Sequence, residues 1–379
     1  MVTQMKKIIG LIILFLFCLA GPASCQLPEH IRVAVKQDAS SLRLKVQGTY
    51  EVWDTTGNKV IYRGSGLNTT VTAYSGGILL GELKSCLNKL IIKSHDPDAI
   101  IIDGRMFRGE IQLIKKENNN ILVINNIEFE DYVKGVLYHE ASHYWPNEAL
   151  KAQAIACRSY AISRVKESST RDFDATADTY SQVYGGKTSE RFRTNKAVDE
   201  TMGEVLVYKG QVLPAYFHAT CAGHTEDASN LWNIDILPLK GVACDFCKGS
   251  PHFSWHYVFS KKEIIEKLSS AGYKINQIKD IKIASRNKSG RVTSLVISSN
   301  GDEVKVLAKD FRNILGPNII RSTNFQVKVV KDDLVFEGIG WGHGVGLCQW
   351  GAYFMSKQDW DYKKILKYYY PGASISSLK

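Results

Sequence analysis

The order of its hydrophobic patterns most constrains how this chain can fold. Between residues 31 and 127, short β-branched runs such as "LRLKV" and "AIIID" alternate with turn segments such as "DTTGN" and "KENNN". That alternation is typical of strands joined by hairpins. A helical period appears only afterwards, in "EFEDYVKGVLYH" (128–139) and "NEALKAQAIACRSYAISRVKE" (147–167). The chain is therefore predicted to be α+β, with a mixed domain of helices and strands preceded by a β-rich N-terminal module.

The rest of the chain mixes short elements without an internal repeat. Helices are predicted at 194–203 and 261–270, and "RVTSLVISSNGDEVKVL" (291–307) is predicted to be a hairpin. A Cys- and His-rich loop occupies 218–252, and a Gly-rich loop occupies 338–352. We place the domain boundary near residue 100, which gives a signal segment at 1–25, the β-rich module at 26–100 and the mixed domain at 101–379.

The first residues have the order of a secretory signal. Lys6 and Lys7 precede an apolar run and then the small residues that end at Ser24. The uninterrupted apolar run is shorter than the ~20 residues of a spanning helix, although a single-pass anchor is the alternative. Small residues before Cys25 resemble a lipoprotein cleavage box that lacks its usual Leu. We expect export to the periplasm or cell envelope, with membrane attachment through Cys25 as an open alternative.

The segment "LYHEASHYW" spells H-E-x-x-H through His139, Glu140 and His143. In a zinc protease both histidines lie on one face of an unbroken helix. Pro146 follows three residues after His143. In a continuous helix its ring would clash with the carbonyl four residues earlier, and the residue before it is disfavoured in helical conformation. The helix is predicted to end near Glu140, which separates the two histidines and argues against a zinc protease.

The wider window resembles a known signature. "FEDYVKGVLYHEASHYWPNEALKAQAIACRSYA" (129–161) is similar to the signature of the stage II sporulation protein D family, SpoIID/LytB. "SQVYGG" (181–186), "YFHATCAGHT" (216–225) and "GWGHGVGLCQWGA" (340–352) resemble further family stretches in the same order. The resemblance spans about residues 105 to 375 and leaves most of the β-rich module outside it.

The resemblance implies a lytic transglycosylase that cleaves peptidoglycan glycan strands between N-acetylmuramic acid and N-acetylglucosamine and leaves an anhydro sugar. Glu140 matches the family's catalytic glutamate. A single carboxyl group suffices for this reaction, because the sugar's own 6-hydroxyl replaces the attacking water. Burial beside the aromatic residues nearby would raise its pKa. Glu130 and Glu148 are the nearest other carboxylates, and both are predicted to serve helix termini.

Several residues are candidate substrate ligands, each with a structural alternative. Arg158 either reaches the cleft or forms an ion pair inside the domain. His343 and Trp341 lie in the Gly-rich loop, where backbone is expected to approach a ligand or another segment. Gln349 offers an amide donor and a carbonyl acceptor to sugar groups. The full set of predicted substrate-binding residues is Tyr144, Arg158, Gln182, Tyr184, His218, Trp341, His343 and Gln349.

The cysteines suggest a separate metal site. Cys244 and Cys247 form a C-x-x-C pair, and Cys221 lies 23 residues before Cys244. This spacing suits structural zinc with one histidine as the fourth ligand; His224 is the candidate, although which histidine completes the site stays open, as do a disulfide and free thiols. Some family members are described as holding zinc before their "QVY" stretch, whereas this chain has no Cys in "DFDATADTYSQVY". Catalysis is expected to need no metal.

The charge and aromatic content fit this assignment. The formal net charge is +10, and the chain has 18 Tyr and 7 Trp. An exported basic protein suits an acidic polymer such as peptidoglycan and is not expected to meet nucleic acid. Tyr and Trp commonly stack on sugars, although they also fill cores. A second hypothesis is a non-catalytic wall binder that enhances a peptidoglycan amidase.

Overall fold

The structure is a computed structural model that describes residues 26–56, 58–179, 181–299 and 301–378. The predicted signal segment and Cys25 lie outside these described residues. Among the described helices, none is long and apolar enough to cross a membrane.

An antiparallel sheet forms the N-terminal part of the molecule, with one short parallel strand at its edge. Within the described residues it has 11 strands, in the order β11-β1-β10-β9-β6-β2-β3-β4-β5, with β7 and β8 paired beside β2. Along the second strand, Leu42, Leu44 and Val46 are buried while Arg43 and Lys45 are exposed, so one face covers a core. The strands are β1 (His30–Ala39), β2 (Ser41–Asp54), β3 (Lys59–Tyr74), β4 (Gly77–Leu80), β5 (Leu83–Ser85), β6 (Lys89–Ser94), β7 (Ile100–Ile102), β8 (Arg105–Phe107), β9 (Glu110–Lys115), β10 (Ile121–Glu128) and β11 (Ala175–Thr176).

This sheet extends past the boundary placed near residue 100, which falls at the start of β7. Ile31 of β1 pairs with Ile127 of β10, so the first and last strands of the β-rich region are neighbours. Val33 also pairs in parallel with Ala175 of β11, which follows the second long helix. The sheet therefore joins residues on both sides of that boundary.

Eight helices occur within the described residues, and the two longest frame the site. The first long helix ends at Glu140, as Pro146 predicted, and the second spans the predicted 147–167. The predicted helix at 194–203 lies slightly earlier. The helices are α1 (Phe129–Glu140), α2 (Asn147–Glu167), α3 (Phe192–Asp199), α4 (Ser229–Trp232), α5 (Lys261–Ser270), α6 (Ala308–Leu315), α7 (Gln349–Ser356) and α8 (Tyr362–Tyr369).

Short strands connect the helices in the C-terminal half. They form small sheets in the orders β13-β12-β24, β14-β23, β15-β16, β17-β22-β21 and β18-β19-β20. The predicted hairpin at 291–307 corresponds to β19 and β20. The strands are β12 (Glu204–Tyr208), β13 (Gln211–Val212), β14 (Phe217–His218), β15 (Gly223–His224), β16 (Ala243–Cys244), β17 (Ser254–Ser260), β18 (Asp280–Arg286), β19 (Val292–Ser299), β20 (Asp302–Leu307), β21 (Phe325–Val330), β22 (Asp333–Ile339), β23 (Leu347–Cys348) and β24 (Ser374–Ser377).

Three main cores result from this arrangement, which confirms the predicted α+β class. The first lies between the large sheet and α1 and includes Phe129 and Val133. The second joins α2, α7 and α8 and includes the cysteines of the Cys-rich loop. The third belongs to residues 254–336, which pack around Phe259, Phe311 and Phe336. This third unit is inserted between the Cys-rich loop and the Gly-rich loop.

Candidate active site

Glu140 lies where three separate segments of the chain meet. It is the last residue of α1, and its Oε1 accepts a hydrogen bond from the backbone N–H of Val183 at 3.3 Å. Its Oε2 accepts from Nε2 of Gln349, the first residue of α7, at 3.5 Å. Burial raises the pKa of Glu140 to about 7, and the two hydrogen bonds oppose that shift only in part. The carboxyl group is therefore poised to exchange a proton near neutral pH.

A buried polar chain holds the segment that supplies the Val183 donor. The Tyr132 hydroxyl on α1 donates to Oε1 of Gln182 at 3.0 Å, and Nε2 of Gln182 donates to the carbonyl of Cys157 on α2 at 3.4 Å. Gln182 is 1% exposed. It therefore bridges the two long helices and fixes the position of the next residue, Val183, beside Glu140.

Glu130 and Glu148, the two carboxylates considered beside Glu140 in the sequence, have structural partners. Both oxygens of Glu130 pair with the guanidinium of Arg158, each at 2.8 Å, and Arg158 is fully buried. Glu148 accepts from the backbone N–H of Tyr362 at 3.0 Å and pairs with Lys151 at 3.1 Å. Arg158 thus forms the internal ion pair that was one of its two predicted roles.

The Gly-rich loop packs closely on the segment that contains β14. Gly340, Gly342, Gly344 and Gly346 all have positive φ. A Cβ on Gly346 would collide with the carbonyl oxygen of Tyr216. A side chain at this position would therefore push the loop away from β14.

Two histidines contact the backbone of one residue of this loop, Val345. Val345 donates its N–H to Nδ1 of His343 at 3.0 Å, and its carbonyl lies 3.1 Å from Nδ1 of His218. Burial lowers the pKa of His343 to about 3 and lowers the pKa of His218 as well. Both rings are therefore neutral at physiological pH. Among the described residues, Nε2 of His218 has no hydrogen-bond partner.

A row of neighbouring aromatic rings begins at Tyr160 on α2. Tyr160 lies on α2, and burial raises its pKa with a smaller contribution from the charge of Glu140. Its ring is 5.6 Å from that of Tyr216, which in turn stacks on Trp232 at 4.4 Å. His343 lies 5.0 Å from Trp232. These rings form a continuous surface from the neighbourhood of Glu140 to the Gly-rich loop.

A second aromatic row includes Trp350, the residue that follows Gln349. Trp350 is 5.1 Å from Trp145 and 6.1 Å from His252. His252 contacts Trp341 at 4.6 Å, and the guanidinium of Arg321 lies over the Trp341 ring at 4.7 Å. Flat, partly exposed rings of this kind can stack on sugar faces.

The predicted substrate-binding residues are thus placed in different environments. Gln349 contacts Glu140 directly. Gln182 holds the segment whose next residue, Val183, donates to Glu140. His218, His343 and Trp341 form the contacts with the Gly-rich loop described above. Tyr144 is 76% exposed, while Tyr184 is 1% exposed and donates its hydroxyl to Asn125 at 2.7 Å. Tyr184 therefore packs in the core. Sequence reasoning missed Val183, although it adjoins Gln182, and Trp350, although it adjoins Gln349.

The H-E-x-x-H pattern does not form a shared histidine face. His139 is exposed and its Nε2 lies 2.6 Å from Oγ of Ser189. His143 follows the end of α1, and its ring packs on Tyr144 with 3.9 Å between centroids. Within the described residues, the one metal-capable group of three or more side chains lies elsewhere and contains neither histidine. The prediction that the helix ends near Glu140 is confirmed.

That metal-capable group differs from the predicted ligand set in one position. The sulfurs of Cys221, Cys244, Cys247 and Cys348 all lie within 4.8 Å of one another. His224 was predicted as the fourth member, but its Nδ1 contacts the carbonyl of Thr225. Cys348 takes this place because β23 pairs in parallel with β14, which brings the end of the Gly-rich loop next to Cys221.

Comparison with known proteins identifies the class of cell-wall protein to which this fold and site correspond. The model of the stage II sporulation protein family, SpoIID, matches residues 117–208, and a domain of unknown function, DUF8618, matches residues 239–346. Stage II sporulation protein D of Bacillus subtilis is 34% identical over 269 residues, which cover 67% of this chain and 76% of that protein. The chain belongs to the SpoIID family.

Two further relatives show how far the likeness extends. An uncharacterized protein of Brachyspira hyodysenteriae is 35% identical over 348 residues, which cover 91% of this chain and 92% of that protein. The amidase enhancer of Bacillus subtilis is 29% identical over 83% of this chain, but the match covers only 51% of that protein. The likeness to the first of these relatives includes most of the N-terminal sheet.

Proposed function

We propose that this chain is a peptidoglycan lytic transglycosylase in which Glu140 is the single acid and base. The observation that carries the proposal is a carboxyl group with a pKa of about 7 that accepts hydrogen bonds from two donors in distant segments of the chain. Family membership supports a function at the cell wall. The structural engagement of Glu130 and Glu148 supports a mechanism with one carboxyl group.

The reaction needs no water and returns the enzyme to its starting state. Protonated Glu140 donates its proton to the oxygen of the bond between N-acetylmuramic acid and N-acetylglucosamine, and the C1–O bond breaks. The resulting carboxylate then accepts the proton of the muramic acid C6 hydroxyl, whose oxygen bonds to C1 and closes the 1,6-anhydro ring. One proton leaves Glu140 and one returns, so a single carboxyl group completes the cycle.

The two hydrogen-bond donors and the burial of the site have opposite effects on the pKa of Glu140. Burial disfavours the carboxylate and raises the pKa of Glu140 to about 7, so a substantial fraction of the group is protonated at neutral pH, as the first step needs. The Val183 N–H and the Gln349 amide stabilise the carboxylate that exists between the two proton transfers. The aromatic rows beside Tyr160 and Trp350 would stack on sugar rings on either side of the cleaved bond.

The proposed location is the cell envelope, outside the cytoplasm. It rests on the secretory order of the first residues and on the net charge of +10, which suits an acidic polymer. Attachment through a lipid on Cys25 remains part of this proposal and is tested by mass spectrometry of the mature N-terminus.

A second candidate function is supported by one observation, the 29% identity to an amidase enhancer. In this alternative the chain binds peptidoglycan and stimulates a wall amidase, and the aromatic rows serve binding alone. Stimulation that survives Glu140→Gln would favour this alternative.

The test uses purified glycan strands stripped of their stem peptides. We expect the wild-type chain to release anhydromuramyl products detectable by mass spectrometry, and we expect Glu140→Gln to release none. Glu148→Gln is the matched control, because the Glu148 carboxylate accepts from the backbone N–H of Tyr362 and pairs with the Lys151 ammonium group. Absence of anhydro products from the wild type, or undiminished turnover by Glu140→Gln, would exclude the proposal.

A further inference from the structure

The four clustered cysteines are buried and come from separate parts of the chain. Each has a relative exposure of 0%. Cys221 follows β14, Cys244 ends β16, Cys247 lies in the 3₁₀ turn Phe246–Gly249, and Cys348 ends β23. A tetrahedral zinc ion with Zn–S bonds of about 2.3 Å sets its sulfurs about 3.8 Å apart. The measured limit of 4.8 Å for all six pairs, with Cys221 and Cys247 at 3.5 Å, fits that spacing.

Hydrogen-bond donors point at these sulfurs, as expected for thiolate ligands. The backbone N–H groups of Cys221 and Gly351 each lie 3.3 Å from Sγ of Cys348, and the Tyr369 hydroxyl lies 3.1 Å from Sγ of Cys244. A Cβ on Gly351 would collide with that hydroxyl. The surroundings therefore supply the outer hydrogen bonds that orient and stabilise metal-bound sulfur.

A buried positive charge lies directly behind the cluster. Arg291 is 1% exposed, and its guanidinium donates to the carbonyls of Cys221 and His224, each at 3.1 Å. The nearby Glu226 carboxylate is also buried, and its charge offsets part of that of Arg291. It accepts hydrogen bonds from the side chains of Asn230, Asn287 and Ser289 and from the backbone N–H of Asp227. Four thiolates around a divalent ion carry a net negative charge, whereas two disulfides carry none. The guanidinium therefore favours the metal-bound form.

We propose that Cys221, Cys244, Cys247 and Cys348 bind one zinc-type divalent ion, and that this ion positions Gln349 beside Glu140. Cys348 is the N-cap of α7, and its Sγ accepts from the Gly351 N–H. The next residue is Gln349, whose amide reaches Glu140. The ion thus ties the Cys-rich loop to the start of the helix that carries this amide. The metal site stands on its own geometry, and the role of Gln349 rests on the proposed function.

The first measurement is the metal content of the full chain, purified without chelators. We expect one equivalent of zinc by inductively coupled plasma mass spectrometry. Replacement by cobalt should produce the visible bands and thiolate charge-transfer absorption of a tetrahedral four-sulfur centre. Cys244→Ser and Cys348→Ser should lose the ion, while Cys86→Ser and His224→Gln should retain it. Retention by His224→Gln separates this ligand set from one that uses the histidine.

Two measurements on the wild-type chain could also exclude the metal site, and neither requires a variant that folds. An intact mass lower by four hydrogens, with no reactive thiols among these cysteines after unfolding, would assign two disulfides. Wild-type chain without bound metal even after incubation with excess zinc would also exclude the site. Because metal content is measured independently of turnover, a metal-loaded chain that forms no anhydro products would refute the proposed function and leave the metal site standing.

The positioning role is tested in chain from which the metal has been removed by chelation. We expect kcat to fall more than tenfold with a smaller change in KM, and we expect zinc to restore it. The pH profile should shift in the same direction as that of metal-loaded Gln349→Leu, because both changes remove the same amide from Glu140. Unchanged kcat and pH profile in the metal-free chain would overturn the role assigned to the ion.

Discussion

Glu140→Gln is expected to change the free energy of unfolding by an amount that depends on pH. Folding raises the pKa of this carboxyl from 4.5 to about 7. Each pKa unit corresponds to about 1.4 kcal/mol, so ionisation of Glu140 costs the folded state up to about 3 kcal/mol. An amide keeps the shape of the protonated acid and stays neutral at every pH. The variant therefore does not incur this cost.

The sign follows from the raised pKa. The contribution of protonated Glu140 to the free energy of unfolding is fully present below about pH 4.5 and is lost as the pH rises through about 7. We therefore expect Glu140→Gln to exceed the wild type by about 3 kcal/mol at pH 8 and by less than about 1 kcal/mol at pH 5. Other titrating groups are shared by both proteins and cancel in the comparison.

Urea unfolding followed by Trp fluorescence at pH 5 and pH 8 measures both differences. Glu148→Gln serves as the control for loss of a carboxylate outside the cleft. A stability difference between Glu140→Gln and wild type that is the same at both pH values would refute the reasoning, since it would mean that Glu140 is not desolvated by folding.

Three further predictions concern the surroundings of this group. Gln349→Leu removes a donor that stabilises the Glu140 carboxylate, so the alkaline limb of kcat/KM should move up by about 0.5 to 1 pH unit; a downward shift would contradict this. Arg158→Met leaves the Glu130 carboxylate without its charge partner, with only the Gly203 N–H still donating to it, and chemical denaturation should show a loss of about 3 to 5 kcal/mol; a loss below about 1 kcal/mol would contradict it. Gly346→Ala places a side chain at φ +71° against a backbone oxygen and should lower the melting temperature by several degrees, whereas an unchanged melting temperature would show that the loop can move aside.

Local patterns predicted the elements that depend on neighbouring residues. The strong helix formers of 147–167 predicted α2, and Pro146 predicted the end of α1 near Glu140, because both effects act locally along the chain. The hairpin of β19 and β20 was equally visible from its alternation. Glu140 and Gln349 entered the candidate site through the resemblance to a family, since their separation in sequence hides their contact.

Distant pairings could not be predicted in the same way. The pairing of β1 with β10 joins Ile31 to Ile127, and no local period encodes such a partner. Cys348 was missed as the fourth sulfur because the inserted unit separates it in sequence from Cys247, while His224 was much closer along the chain. The burial of Tyr184 depends on the large sheet, which supplies Asn125 for its hydroxyl.

The inserted unit begins and finishes at the same point of the molecule. Ser254, at the start of β17, is the direct strand partner of Ile339, at the end of β22. Partners in an antiparallel ladder lie about 5 Å apart, so the two ends of the inserted unit are adjacent in space. Its length and contents can therefore diverge between relatives without altering the spacing between the two parts of the chain that it separates in sequence.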